Sequence, residues 1–225
     1  NLTFQFSPSI GDSSVPFRTL KFDMRKYFKI SRNYSFAARL MLGKSIGDKA
    51  QKFFLGGNSQ FTIFSDTQTE GRDDSGFYAQ RVLEYDNTSI LEDVYFSEYV
   101  FPLRGARYRE RVGENVAIAN FEFRFPFVNY VDVSFPARIR FGNIFGHLFL
   151  DVGAAWDDSN EFDSSQIIRD KYGLTDPEAS PILTTFGIGA KIFTGFGIVR
   201  LDTAWDKYSS GYSKPQYIIS VGYDW

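Results

Sequence analysis

Apolar and polar residues alternate over most of this chain. In residues 17–30, Leu20, Phe22, Met24, Phe28 and Ile30 share one parity and Thr19, Lys21, Asp23, Arg25 and Tyr27 the other, with Lys26 as the exception. In residues 34–43, Tyr34, Phe36, Ala38, Leu40 and Leu42 oppose Ser35, Ala37 and Arg39. In residues 115–127, Ala117, Ala119, Phe121, Phe123, Phe125 and Phe127 oppose Asn120, Glu122 and Arg124. A period of two is that of a β-strand, whose successive side chains point to opposite faces. The same rhythm runs through residues 147–157, 183–193, 197–206 and 216–225, and residues 2–8 add a first strand. About eight antiparallel strands are expected, separated by turn signals such as SPSIGDSS, TGFG and DKYSSGYSKP.

Two stretches break the rhythm. Residues 45–114 form a long insertion that runs from SIGDKAQ through FFLGG and the acidic TQTEGRDDSG to a short helix in TSILEDVYFSEYV and then FPLRGAR. A connection of that length is usually functional or disordered. Residues 158–181 are polar and acidic and are expected as an exposed loop.

Alternation alone also fits a soluble β-sandwich. Two features favour a membrane barrel. The polar faces carry Arg25, Arg39, Arg124 and Arg200 beside Asp23, Glu122, Asp151 and Asp202, a mixture suited to an ion-paired, hydrated lumen. The apolar faces end in Phe127, Tyr130, Trp156, Trp205, Tyr223 and Trp225, the residue types of interfacial girdles. In the last strand Tyr217, Ile219, Val221, Tyr223 and Trp225 are then expected to face lipid, and Ser220, Gly222 and Asp224 the interior.

Composition sharpens this picture. The 225 residues allow one domain, residues 1–225, and 18% aromatics with 25 Phe exclude disorder. No run approaches the length of a transmembrane helix. A net charge of -2 gives no basic excess for nucleic acid. The absence of Cys removes disulfides, thiolate nucleophiles and thiolate metal sites, and fits a protein that crosses an oxidising compartment unfolded. The chain starts at Asn1 and is expected to be the visible end of a longer polypeptide rather than a processed form. Catalytic machinery is not expected. His147 is the one histidine and reads as an interfacial or turn residue in GNIFGHLF; Asp73–Asp74 and Asp157–Asp158 read as solvated loop charge, and the glycines of FGIGAKIFTGFG do not open a helix after a parallel strand. No metal, cofactor or nucleotide site is expected.

At FPLRGAR, FLDVGAAWD and FGIGAKIF the sequence resembles the C-terminal half of the bacterial surface antigen superfamily, outer-membrane barrels that insert other outer-membrane proteins or secrete two-partner substrates. FFLGG, NFEFRFPF, GIVRLD and YIISVGYDW extend the resemblance over nearly the whole chain from Phe17. It implies that a loop folds into the lumen carrying Leu103, Arg104 and Gly105, with Ala106 where the family has an aromatic. The following strands supply Phe149, Asp151 and Gly153, then Gly187 and Gly189. Parity puts Asp151 on the face of Gly153, opposite Leu148, Leu150, Val152 and Trp156, so its carboxylate is lumenal if those face lipid. A lumenal carboxylate needs a partner, and the planar guanidinium of Arg104 can offer two parallel hydrogen bonds. Gly187 and Gly189 would then clear space for the loop backbone.

The resemblance further implies a barrel of about 16 strands, of which these are the second half. The long 58–102 spacing is similar to barrels fused behind a periplasmic β-propeller. The expected function is insertion or translocation of polypeptide at the bacterial outer membrane, with a static anchor for a propeller or a display barrel for residues 45–114 as the alternative. The expected partners are outer-membrane lipid, unfolded or partly folded polypeptide, and upstream periplasmic domains or a second chain that completes the barrel.

Overall fold

A computed structural model describes residues 1–8, 16–47, 50–57, 61–65, 98–100, 103–107, 110–133, 139–172, 174, 179–194, 197–208 and 211–222. The elements are β1 (Leu2–Ser7), β2 (Phe17–Lys29), β3 (Ser35–Ile46), β4 (Phe53–Leu55), β5 (Phe61–Ser65), β6 (Glu98–Val100), β7 (Arg111–Gly113), β8 (Asn115–Val133), β9 (Ile139–Trp156), a 3-10 turn (Ser159–Phe162), α1 (Ser165–Tyr172), β10 (Ile182–Thr194), β11 (Gly197–Tyr208), β12 (Gly211–Tyr212) and β13 (Gln216–Gly222). The fold is all-β. One antiparallel sheet runs β1-β2-β3-β8-β9-β10-β11-β13-β5, with β12 paired to β11, and it contains all eight expected strands.

Its two faces carry different chemistries. Leu20, Phe22, Met24, Leu42, Phe121, Leu148, Leu150, Ile188, Leu201 and Tyr217 stand exposed on one face. Arg39, Asn120, Glu122, His147, Asp151, Lys191, Arg200 and Asp202 are buried on the other. A soluble sandwich has the opposite polarity, because its apolar faces must leave water; this sheet is an antiparallel transmembrane barrel wall. In β13, Gln216, Ile218 and Ser220 are buried and Tyr217 is exposed; Tyr223, Asp224 and Trp225 lie outside the described residues. Among the described residues the sheet does not close: β1 ends one edge and β5 the other.

Two stretches differ from the loops expected of them. The 45–114 insertion contributes β5 to the main sheet, pairing with β13 across a register shift at Ile219/Ser220. It also forms a second sheet inside the barrel, β6-β4-β7, with β4 parallel to β6 and antiparallel to β7. The short helix expected in TSILEDVYFSEYV falls mostly outside the described residues, and its end, Glu98–Val100, is strand β6.

The 158–181 stretch is only partly an exposed loop. Asp158 and Glu161 form a reciprocal capping box on the 3-10 turn, and α1 buries Ile168 and Tyr172 with Ala179 in a small cluster of their own. The reason is spacing: Ile168 and Tyr172 are four residues apart and share one helix face.

Candidate functional site

The lumen is filled in two layers. The first is apolar and comes from FFLGG and the loop that follows it. Phe53 and Leu55 of β4, with Leu103 and Ala106, pack against Met41, Val116, Ile118, Ala155 and Leu183 of the wall. Gly153 lies under this layer: a Cβ there would sit 3.2 Å from Leu55 and 3.3 Å from Leu103. Ala106, small where the family has an aromatic, is fully enclosed in the layer.

The second layer is ionic, and Arg104 reaches it from the loop. Gly105, at φ +88°, allows the turn that aims the side chain at the wall; it also presses against Ala204, which a Cβ would approach to 2.7 Å. The Arg104 guanidinium donates from Nε to Asp151 Oδ2 and from Nη2 to Asp151 Oδ1, both at 2.8 Å, and from Nη1 to Glu122 Oε2 at 2.8 Å. Its plane lies over the Phe149 ring at 3.8 Å. The backbone N–H of Arg104 adds a 3.2 Å bond to Asp151, and Asn120, directly across the β8–β9 ladder, donates to Oδ1 at 2.9 Å. Arg104, Glu122 and Asp151 are all removed from solvent.

Glu122 is the hub. Besides Arg104 it accepts from Arg124 Nε at 2.6 Å, from Arg200 Nη2 at 3.3 Å and from Lys191. A buried carboxylate is tolerable only when paired and hydrogen-bonded, and four cationic donors meet that condition here.

The strand glycines serve a different purpose from the one expected of them. Gly187 and Gly189 clear space for wall side chains, not for the loop backbone. A Cβ on Gly187 would stand 2.5 Å from Phe149 Cζ, so this glycine admits the ring on which Arg104 rests. Gly189 lies opposite both His147 and Asp202, and its missing side chain lets those two meet across the intervening strand at 2.7 Å, Nε2 to Oδ1. His147 is therefore not a turn residue. Residues 142–147 lie within β9, where Gly146 leaves room for the Phe125 ring. The parity His147 shares with Asp151 was the available signal. The other ring nitrogen, Nδ1, has no hydrogen-bond partner among the described residues. Those residues also contain no cluster of His, Asp and Glu able to hold a metal ion.

At the other end of the lumen, α1 is tied to the plug. The Tyr172 hydroxyl accepts from Val112 N–H at 3.0 Å and donates to Val112 C=O at 2.9 Å, standing in for a strand partner of β7. Burial raises the Tyr172 phenol above its ordinary pKa. Lys171 bonds Asp157 and Glu161, and Lys52 bonds Asp157 and Glu114. Burial would push the Asp157 carboxyl up, but Lys171 and Lys52 outweigh it and hold it below its ordinary value. Burial likewise works against the Lys171 ammonium, and Tyr172, Glu161 and Asp157 hold it above its ordinary value.

BamA from Haemophilus ducreyi lacking POTRA domains 1-3 is a similar solved structure, at 14% sequence identity and a TM-score of 0.47. The likeness covers 95% of this chain and 36% of that one, so the chain spans little more than a third of its length. No curated protein matches the chain. The family model described as the Omp85 superfamily domain matches residues 1–225. That match takes in every wall strand and the lumen loop alike, in line with the surface antigen resemblance of the motifs, and the chain belongs to the Omp85 superfamily of outer-membrane barrels.

Proposed function

We propose that this chain forms the C-terminal half of an outer-membrane barrel that inserts or translocates polypeptide, with the inner sheet and Arg104 as a plug that leaves its seat during transport. The observation that carries this reading is the independence of the plug. Among the described residues the β6-β4-β7 sheet makes its ladder bonds within itself and not with the wall, so it can leave without breaking the barrel. Side chains hold it, above all Arg104 on Asp151 and Glu122. The seam has a matching character: on the side away from β11, β13 pairs among the described residues with the short β5, through a register shift.

Among the described residues the outer edges of β1 and β5 have no strand partner, which supports completion by further strands, of the same polypeptide or a second chain. Each unpaired backbone group in lipid costs on the order of several kcal/mol. The surroundings of the barrel are then outer-membrane lipid, its substrate is unfolded or partly folded polypeptide, and upstream periplasmic domains would deliver that substrate. The work needs no catalytic residue. A static plugged anchor for a periplasmic propeller is the second reading, and the Tyr172 clamp on Val112 favours it.

A disulfide separates the two. Leu103→Cys with Gly153→Cys joins plug to wall in a chain that has no other cysteine. In the intact protein in vesicles, oxidation should abolish insertion or translocation and reduction should restore it. Equal activity in both states would show that the plug does not move.

A further inference from the structure

The groups around Arg104 divide into those that travel with the loop and those that belong to the wall. Every acceptor of the guanidinium is on the wall: Asp151 on β9 and Glu122 on β8, with the Phe149 ring beneath. An ionised carboxylate offers about four acceptor positions, and on both residues they are filled. Asp151 takes Nε, Nη2 and the backbone N–H of Arg104, and the Asn120 amide. Glu122 takes Arg104, Arg124, Arg200 and Lys191.

Withdrawal of the loop therefore falls unequally on the two. Glu122 loses one donor and keeps three cations. Asp151 loses three donors and its cationic partner, and is left with an uncharged amide. Opening the lumen leaves this carboxylate facing it with no cation bonded to it, so the emptied wall presents a site for one cation. The vacancy is also shaped: two Asp151 oxygens side by side for a two-pronged contact, a Glu122 oxygen for a third N–H, and an aromatic face for a flat group to lie on. A compact ammonium matches only the charge, whereas a guanidinium matches all of these. Neighbouring groups hold the vacancy in place whether or not the loop is seated. Asn120 orients Asp151, the three remaining cations orient Glu122, and the absent side chain of Gly187 admits the Phe149 ring.

We propose that this part of the wall is a guanidinium receptor, filled by Arg104 while the lumen is plugged and by an arginine side chain of the passing polypeptide once the loop withdraws. The exchange replaces one guanidinium by another, so the charge balance of the wall is preserved through the step. This inference rests on the translocation reading and deepens it by assigning a substrate feature, an arginine in an extended segment.

The test has two arms, both on the intact membrane-embedded protein. In the first, Arg104→Ala is titrated with methylguanidinium while its unfolding equilibrium is followed. At ten times its dissociation constant, a ligand that binds only the folded state shifts that equilibrium about elevenfold. The shift should be absent with methylammonium and absent when Asp151→Asn is added. An equal response to both cations, or a response that survives Asp151→Asn, overturns the receptor. The second arm keeps Arg104 and so does not depend on that variant folding. A translocating peptide with a photoreactive group beside its single arginine should cross-link to β8 and β9 several-fold more than its lysine twin, and Asp151→Asn should erase the difference. Equal cross-linking of the two peptides overturns the exchange. If methylguanidinium binds as expected but the oxidised Leu103–Gly153 pair still transports, the translocation reading fails while the wall site stands.

Discussion

The inner wall carries two clusters built to the same plan, and they differ in what covers them. On β2 and β3, Asp23 accepts from Arg25 at 3.3 and 3.0 Å and from Arg39 at 3.1 and 2.8 Å, so its two oxygens take four charge-assisted bonds. On β8 and β9, Asp151 and Glu122 also take four each. The Asp23 side chain keeps 21% of its surface exposed and Arg25 keeps 42%, whereas Arg104, Glu122 and Asp151 keep none. Strand pairing supplied both clusters, but only the second lies under the plug. Exposed ion pairs contribute little because water competes and the dielectric is high, while a buried pair is costly to break because the survivor is left uncompensated. Similar bonding thus yields a surface cluster in one place and a structural lock in another.

The largest expected effect comes from breaking the lock at its hub. Glu122→Ala leaves Arg104, Lys191 and Arg200 buried without their shared anion, and should lower stability by about 3–5 kcal/mol. The equivalent Asp23→Ala should cost less, because water reaches Asp23 and Arg25, although it also removes this anion from the buried Arg39. Denaturant unfolding of both variants in the same vesicles would settle this, and equal losses would show that coverage by the plug is not what distinguishes the clusters.

Gly187→Val comes next. It drives a side chain into Phe149, and overpacking of this kind costs about 1–3 kcal/mol. It should also free the plug, seen as faster proteolysis of residues 103–107 in the folded barrel. Slower proteolysis, or none, would mean that the Phe149 platform does not support Arg104.

A smaller effect is expected at the cap. Tyr172→Phe removes one donor and one acceptor from Val112, at about 1 kcal/mol. Asp157 has a depressed pKa in the fold, so its contribution is present above its unfolded value of 3.8 and is lost as pH falls through the folded value. Lys171 is raised, so its contribution is present below 10.5 and is lost as pH rises through the folded value. Protection of the Val112 amide, with the intrinsic pH dependence of exchange divided out, should therefore hold between those limits and fall as pH passes the folded value on either side. A profile flat into acid would remove Asp157 from the clamp.

The smallest expected change is in stability at the lipid face. Spin labels at positions 219 and 221 should be reached by lipid-soluble quenchers and those at 220 and 222 should not. The reverse pattern would contradict the outward parity of β13.

The strands were legible in the sequence because a period of two is a local property. Leu20 to Ile30 and Phe121 to Phe127 identify their faces without reference to any neighbour, and charges such as Asp23, Glu122 and Asp202 identify the wet side. Asp151 could be assigned inward from parity alone, and the Arg-Gly motif named its partner. Tertiary structure decided what no single strand encodes. Glu122 became a hub because β10 and β11 bring Lys191 and Arg200 beside it from about 70 residues away or more. His147 looked like a turn residue until the β9–β10–β11 register set it across Gly189 from Asp202. The short β4, β6 and β7 carry too few residues to show a period, and only their enclosure by the wall makes them a sheet. Parity determines which way a side chain points; whether it meets water or a plug depends on chain segments far away in sequence, and that contact sets its energetic weight.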